Sequence, residues 1–167
     1  MIEAYFANNS EQRVERFLGT RAPRITESIA REMLKQMIVL SSHVATEHLS
    51  GRPGLRNITG TLRRAVLASP KVSESTRDIK GTVSTDPSVE AYARIQEYGG
   101  RVNIPEIVPR RAQALHFTIG GRSVFAKRVR AHSVTIPERS YMRSSLREKQ
   151  ADIVAGLNRA VGQAVNS

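Results

Sequence analysis

The 167-residue chain has no cysteine, few aromatic residues and no long apolar run. The absence of cysteine excludes disulfide-stapled folds and cysteine nucleophiles. The longest apolar runs, such as Met37–Leu40, are far too short to span a bilayer. The N-terminal residues lack the apolar core and positive flank of a signal peptide. The sequence therefore predicts a soluble protein of the cytoplasm with no membrane partner.

The common motifs of enzyme active sites are also missing. The sequence contains no P-loop, no GxGxxG and no GxSxG. The acidic residues in the middle of the chain suit a helix cap and solvated helix faces better than a metal-binding nuclease cluster; they are Asp78, Asp86, Glu90 and Glu97. We therefore predict that the protein is not an enzyme and binds no cofactor.

The four histidines do not form a recognisable metal motif. His43 and His48 are five positions apart, which places them on different faces of a regular α-helix. A zinc pair on a helix needs a spacing of four, as in HExxH. His116 falls in a predicted strand and is interpreted as a surface or edge residue. The sequence therefore predicts no metal site.

Positive charge dominates the composition. The formal net charge is +11 and the isoelectric point is about 11.0. Such a charge favours an acidic partner, such as nucleic acid, an anionic membrane or an acidic protein surface, although solubility alone would also account for it.

The basic residues are concentrated between positions 101 and 130, where Glu106 is the only acid. The candidates for contact with phosphate or acidic protein are Arg101, Arg110, Arg111, Arg122, Lys127, Arg128 and Arg130. The alternative is that they protect edge strands from aggregation. Phe117 and Phe125 fit the buried face of a hairpin better than a platform for stacking bases, so sequence-specific binding is not expected.

Hydrophobic periodicity predicts an α+β fold with the order α-β-β-α-β-β-α, in which a small, mainly antiparallel sheet packs with long N-terminal and C-terminal helices. Residues 1–24 are expected to be a lead-in segment with a short helix that ends at Gly19 and Pro23. Residues 25–167 are assigned to a single domain. Its first helix has Thr26 as N-cap, extends to about Leu49 and carries one apolar stripe, formed by Ile25, Ile29, Met33, Met37, Leu40 and Val44.

Turn-forming residues and the alternation of apolar with polar side chains predict the later elements. A loop over 50–58 leads to a short helix over 59–67 and to strands over 71–75 and 79–85. Asp86 and Pro87 open a third helix, which stops at Gly99-Gly100. Residues 101–114 are predicted to be a long loop, and Gly120-Gly121 to be the turn of a hairpin. A last helix from about Arg139 is expected to bury Leu146, Ile153, Leu157, Val161 and Ala164.

Three segments resemble a family of tailed-phage neck and tail-completion proteins, similar to lambda minor tail protein Z and to Mu-like virion morphogenesis proteins. They read ITGTLRRAV from Ile58, YARIQEYGG from Tyr92 and VTIPERSYMRSSLREKQADI from Val134. Where the family often has Ala-Arg-Pro-Phe, this chain has Glu138-Arg139-Ser140-Tyr141. The residues that match the motifs are interpreted as structural; they are Gly60, Leu62, Tyr92, Tyr98, Gly99, Gly100, Pro137, Arg139 and Tyr141.

The resemblance implies a structural virion protein at the head–tail interface. Such proteins form homo-oligomeric rings, usually six-fold, around the DNA channel. The implied neighbours are the head connector or stopper and the tail terminator or tail tube, with non-specific contact to double-stranded DNA in the lumen. The final location would be the virion, reached from the host cytoplasm. The alternative is a basic nucleic-acid-binding module of ribosomal or nucleoid type.

Overall fold

The computed structural model describes the backbone of residues 8–51, 55, 59–75 and 78–166, and their side chains except those of 8–18, 20 and 21. The α+β class and the long helices near both ends are confirmed. In chain order the elements are α1 (Asn8–His43), a π-helical turn (Val44–His48), α2 (Thr61–Leu67), β1 (Lys71–Glu74), β2 (Ile79–Thr82), a 3₁₀ turn (Pro87–Val89), α3 (Glu90–Tyr98), β3 (Gly100–Ile104), β4 (Leu115–Ile119), β5 (Arg122–Ala126), β6 (His132–Ile136) and α4 (Tyr141–Asn166).

The chain divides into two compact units. Unit 1 comprises the residues up to Ala93 together with those from Tyr141 onward, and unit 2 is Arg94–Ser140. The assignment of residues 25–167 to a single domain stays a prediction. The predicted loop over 50–58 lies largely outside the described residues.

The predicted helix break at Gly19 and Pro23 is wrong, because α1 runs through both residues. Proline in a helix clashes with the carbonyl of the residue four positions earlier. That residue is Gly19, whose permissive backbone can absorb the distortion. Thr26 is therefore inside the helix, where its hydroxyl donates to the carbonyl of Ala22 at 2.9 Å instead of capping a helix start.

The core of unit 1 is built where the end of α1 meets α2, α3 and α4. The predicted stripe of α1 is confirmed at Met37, Leu40 and Val44, which are all buried. Val44 belongs to a hydrophobic cluster whose other buried members are Leu49, Leu62, Val66, Ala93 and Tyr141. The cluster is small, so each of its larger side chains contributes substantially to stability.

Helix α4 packs antiparallel against α1 through small residues. Its buried positions are Tyr141, Ser145, Gly156, Ala160 and Ala164. The predicted face is therefore wrong except at Ala164: Leu146 and Val161 are exposed, and Ile153 and Leu157 are only half-buried. The small residues allow close approach of the helices, since a Cβ atom on Gly156 would lie 2.6 Å from Nε2 of Gln36.

Strands β1 and β2 form an antiparallel pair in which Lys71 lies opposite Thr82. Both strands are shorter than predicted. The pair contacts α1 at Gly81, where an added Cβ would lie 2.7 Å from Sδ of Met33. The glycine therefore sets how closely this pair approaches the helix.

Unit 2 contains two further antiparallel pairs. The predicted hairpin is confirmed: β4 pairs with β5, and Gly120 and Gly121 form its turn with φ of +55° and +81°. The predicted loop over 101–114 is wrong in its first part, because residues 101–104 belong to β3, which pairs with β6. An isolated bridge joins Ile107 to Val129. The strands in the described part of the chain thus form three two-stranded sheets.

Two of these strands were missed because their partners are distant in sequence. β3 pairs Gly100 with Ile136, and Ile104 with His132. Each strand has only five residues, and Pro105 directly after β3 suggests a loop. Alternation in such short segments is too weak to predict a strand without knowledge of its partner.

The predicted cap at Asp86 is confirmed. Its carboxylate accepts a hydrogen bond from the backbone N–H of Ser88 at 2.8 Å, and Pro87 occupies the first position of the turn. Hydrogen bonding to the side chain of Ser88, and to a smaller extent to its backbone, holds the pKa of Asp86 below its usual value.

We expect Asp86→Ala to lower the urea midpoint of unfolding at neutral pH. Because the pKa of Asp86 is lowered by folding, its ionised carboxylate stabilises the folded protein at pH values above the unfolded-state pKa. This stabilisation is lost as the pH falls through the lower pKa of the folded state. The difference from wild type should therefore shrink in strong acid. Asp86→Asn, which keeps a capping acceptor, is the matched control and should have a smaller effect. An equal loss for both variants would contradict the capping role.

No helix in the described part of the chain combines the length and apolarity that a membrane crossing requires.

Candidate functional site

Every one of the seven basic candidates lies in unit 2 and is exposed. Arg101 lies on β3 and Arg122 on β5, and the others lie in the segments that precede β4 and follow β5. Across residues 94–140 there are nine Arg and Lys side chains and only three Glu. Arg128 makes one ion pair, with Nη1 3.5 Å from Oε1 of Glu106. Since both side chains are exposed, this pair contributes little to stability. Unit 2 therefore presents a strongly positive surface.

Unit 2 also lacks a hydrophobic core. None of the buried hydrophobic residues lies within 94–140, a range that the structure describes without a gap. Large apolar side chains are exposed there instead, including Phe125 at 70% and Ile119 at 62%. Two-stranded sheets are marginally stable in water when nothing covers them. Exposed apolar side chains on such strands are typical of surfaces that another chain covers.

The hairpin exposes a stacked pair of rings, those of His116 and Phe125, that the sequence did not predict. Phe117 lies opposite Val124, whereas Phe125 lies opposite His116, so the two phenylalanines are on opposite faces. The ring of Phe125 stacks on His116 with centroids 4.8 Å apart. The expectation that both phenylalanines belong to the buried face is therefore wrong for Phe125, while the surface position of His116 is confirmed.

The three motif segments of the sequence meet in the core of unit 1. Leu62 of the first segment, Ala93 of the second and Tyr141 of the third belong to one buried cluster. The hydroxyl of Tyr141 donates to the carbonyl of Ala93 at 3.4 Å. Gly60 precedes α2 with φ of +71°, a conformation that favours glycine. The motif residues of unit 1 thus connect elements that are far apart in sequence.

Within unit 2 the second and third segments are joined through the backbone. The N–H of Arg139 donates to the carbonyl of Gln96 at 3.0 Å, and the N–H of Ser140 donates to that of Glu97 at 3.1 Å. Gly99 leaves α3 with φ of +67°, and a Cβ atom there would lie 2.7 Å from the backbone N of Glu138. Gly100 follows with φ of +143°. The prediction that the third helix stops at Gly99-Gly100 is confirmed.

The tyrosines of the motifs occupy unequal environments. Tyr141 is 2% exposed, whereas Tyr92 and Tyr98 are 51% and 58% exposed. Pro137 and the side chain of Arg139 are also exposed. Tyr141 therefore stabilises the fold, while the other two tyrosines are accessible to a partner.

An open cavity of about 280 Å³ lies beside Tyr92 in unit 1. Its described lining includes the motif residues Gly60 and Leu62 and mixes apolar with polar side chains. None of the described lining residues is a carboxylate or a histidine.

A cluster of titratable side chains lies in unit 1, at the end of α1. Nε2 of His43 is 2.6 Å and Nε2 of His48 is 3.2 Å from the same oxygen, Oε2 of Glu148 on α4. The hydrogen bond from His43, and to a smaller extent the one from His48, holds the pKa of Glu148 below its usual value. The prediction that the two histidines lie on different faces is wrong, because His48 ends a π-helical turn rather than an α-helical one.

No protein-family model, no curated protein and no solved structure matches this chain.

Proposed function

We propose that the protein is a structural component of a tailed-phage virion, which forms a homo-oligomeric ring at the head–tail junction around the DNA channel. The observation that carries this proposal is the composition of unit 2. It combines a positive surface, exposed apolar side chains and no buried hydrophobic residue.

A ring accounts for the exposed apolar residues. In a head-to-tail ring each copy presents one surface to the next copy, and the contacts close on themselves. The hairpin β4–β5, with Ile119 and Phe125 exposed, is a suitable element to lie on a neighbouring copy. Burial of these side chains between copies would supply stability that unit 2 lacks in the isolated chain.

The positive charge suits acidic partners above and below such a ring. A lumen through which DNA slides should not bind phosphates strongly, since each neutralised phosphate adds affinity and many subunits multiply the effect. We therefore assign most of the exposed arginines to acidic surfaces of the adjacent head connector or stopper and tail terminator or tail tube proteins, or to a DNA end that is held in place.

The sequence motifs agree with a structural role. They resemble those of neck and tail-completion proteins, and two of the residues that match the motifs, Leu62 and Tyr141, are buried in the hydrophobic core. Residues that maintain a fold explain the resemblance without an active site.

The proposal is tested by mass photometry and negative-stain microscopy of the purified chain over a concentration series. We expect closed rings, and we expect Ile119→Asp with Phe125→Asp to abolish them without loss of helical circular dichroism. Leu67→Asp, which changes an exposed apolar residue on α2 in unit 1, is the matched control and should leave the rings intact. A chain that stays monomeric throughout, or rings that survive the double substitution, would contradict the proposed assembly.

The exposed arginines favour a second candidate, the basic nucleic-acid-binding module. That function predicts tight binding of duplex DNA by the monomer, with an affinity that falls steeply as salt rises. We expect weak duplex binding by the monomer instead. A steep salt dependence that decreases when Arg110, Arg111, Arg128 and Arg130 are replaced by glutamine would favour the second candidate.

A further inference from the structure

Two histidines and one carboxylate converge at the junction of α1, the π-helical turn and α4. His43 is the last residue of α1, His48 is the last residue of the turn, and Glu148 lies on α4. Their ligating atoms all lie within 4.8 Å of one another. The convergence does not depend on unit 2, because all three residues belong to unit 1.

The π-helical turn is what aligns the two histidines. In an α-helix, residues five apart differ by about 140° in direction. Here the N–H of Leu49 donates to the carbonyl of Val44 at 3.1 Å, a bond that spans five residues instead of four. The wider turn brings residues five apart toward the same face, and both imidazoles reach one carboxylate oxygen. Such turns are rare and are found frequently at functional sites.

We propose that His43, His48 and Glu148 form a binding site for a divalent transition metal, and that Zn²⁺ is the ion that fits best. Two imidazole nitrogens and one carboxylate are a common zinc ligand set, which leaves one coordination position for water. Imidazole also disfavours Mg²⁺ and Ca²⁺, which prefer oxygen ligands.

The distances suit this assignment. Zinc bonds of about 2.0–2.1 Å in tetrahedral geometry place ligand atoms about 3.3 Å apart. The distances from Nε2 of His43 and of His48 to the carboxylate oxygen are 2.6 and 3.2 Å, so small side-chain rotations would admit an ion. Each Nε2 can supply its lone pair when the ring proton is on Nδ1.

Accessibility supports the same conclusion. The side chains of His43 and His48 are 20% and 19% exposed, and that of Glu148 is 48% exposed. The imidazoles are therefore held by their surroundings, while the carboxylate side is open for an ion to enter. A bound ion would connect the end of α1 to α4 and stabilise unit 1.

The test uses the full chain, freed of metal by a chelator, and Zn²⁺ alone as the probe. Isothermal titration calorimetry should show one ion per chain, and Zn²⁺ should raise the thermal midpoint. Removal of a ligating side chain in His48→Ala or Glu148→Ala should weaken binding by more than the roughly 10- to 100-fold that loss of an outer hydrogen-bond partner costs. Co²⁺ in place of Zn²⁺ should give the strong visible absorption of a four-coordinate site.

His132→Ala, which changes an exposed histidine in unit 2, is the matched control and should bind Zn²⁺ like the wild type. Glu148→Gln is the variant expected to stay folded, since it keeps the size of the side chain and its ability to form hydrogen bonds but removes its charge. The proposal is overturned if wild type does not bind Zn²⁺, or if folded Glu148→Gln and His48→Ala bind it as tightly as wild type does. These outcomes are independent of ring formation, so failure of one proposal does not imply failure of the other.

Discussion

Tyr141→Ala should destabilise unit 1 by about 3–5 kcal/mol, the range for truncation of a large buried aromatic side chain. Tyr141 is 2% exposed and contributes the largest fully buried side chain in the described part of the chain. It packs in the cluster that contains Val44, Leu62 and Val66. Since small domains have only about 5–15 kcal/mol of total stability, the variant should lose a large fraction of its stability.

Urea unfolding followed by far-ultraviolet circular dichroism measures this loss. Tyr141→Phe is the matched control, because it removes only the hydroxyl, which donates to Ala93 over a long distance of 3.4 Å. We expect it to cost about 1 kcal/mol or less. Tyr92→Ala, at an exposed motif position, should have a similarly small effect. If Tyr141→Ala and Tyr92→Ala cost the same, the core assigned to unit 1 is wrong.

Ser140→Pro should cost about 3 kcal/mol or more, because proline cannot adopt the backbone conformation found at this position. Ser140 is the only described non-glycine residue with positive φ, at +49°. Its N–H donates to the carbonyl of Glu97 at 3.1 Å. Proline fixes φ near −65° and has no N–H, so the substitution removes the hydrogen bond and forces the chain entering α4 to rearrange.

Ser140→Gly should instead raise the stability of the protein. Left-handed backbone costs an ordinary L-residue roughly 1–2 kcal/mol, and glycine adopts it without that cost. The gain is reduced by the greater freedom of glycine in the unfolded chain. Thermal unfolding of the pair against wild type measures both effects. A proline variant as stable as wild type would show that Ser140 does not hold this conformation in solution.

This position also explains a departure from the family pattern. The neck and tail-completion proteins that the sequence resembles often have proline where this chain has Ser140. Serine here keeps a hydrogen bond and a positive φ that proline excludes.

The sequence predicts those elements whose determinants are local. The stripe through Met37, Leu40 and Val44 defines the buried face of α1, and Gly120-Gly121 defines the hairpin turn, because helix periodicity and positive φ act within a few residues. The pairing of β3 with β6 depends on residues about 30 positions apart, so no local pattern reveals it. The buried face of α4 was also missed, since close packing there selects small residues rather than the most hydrophobic ones.

In the candidate surfaces, too, only the features with local determinants could be predicted from the sequence. The basic residues were found from charge alone, and all of them are exposed. The exposure of Phe125 depends on the register of the hairpin, which determines the face on which each side chain lies. His43 and His48 were assigned to different faces because a sequence does not show where an α-helix widens into a π-helical turn.

The π-helical turn makes the proposed zinc site tolerant of a change of one residue in chain length. Such a turn accommodates one more residue than an α-helical turn, so deletion of a single exposed residue such as Thr46 would restore the ordinary hydrogen-bond ladder. His43 and His48 would then be four positions apart, the spacing that a regular helix requires for a metal pair. Because the wider turn absorbs the extra residue, the elements that follow would keep nearly the same orientation relative to α1. A related chain with one residue fewer here would therefore keep both histidines aligned and still present Leu49 to the same neighbours.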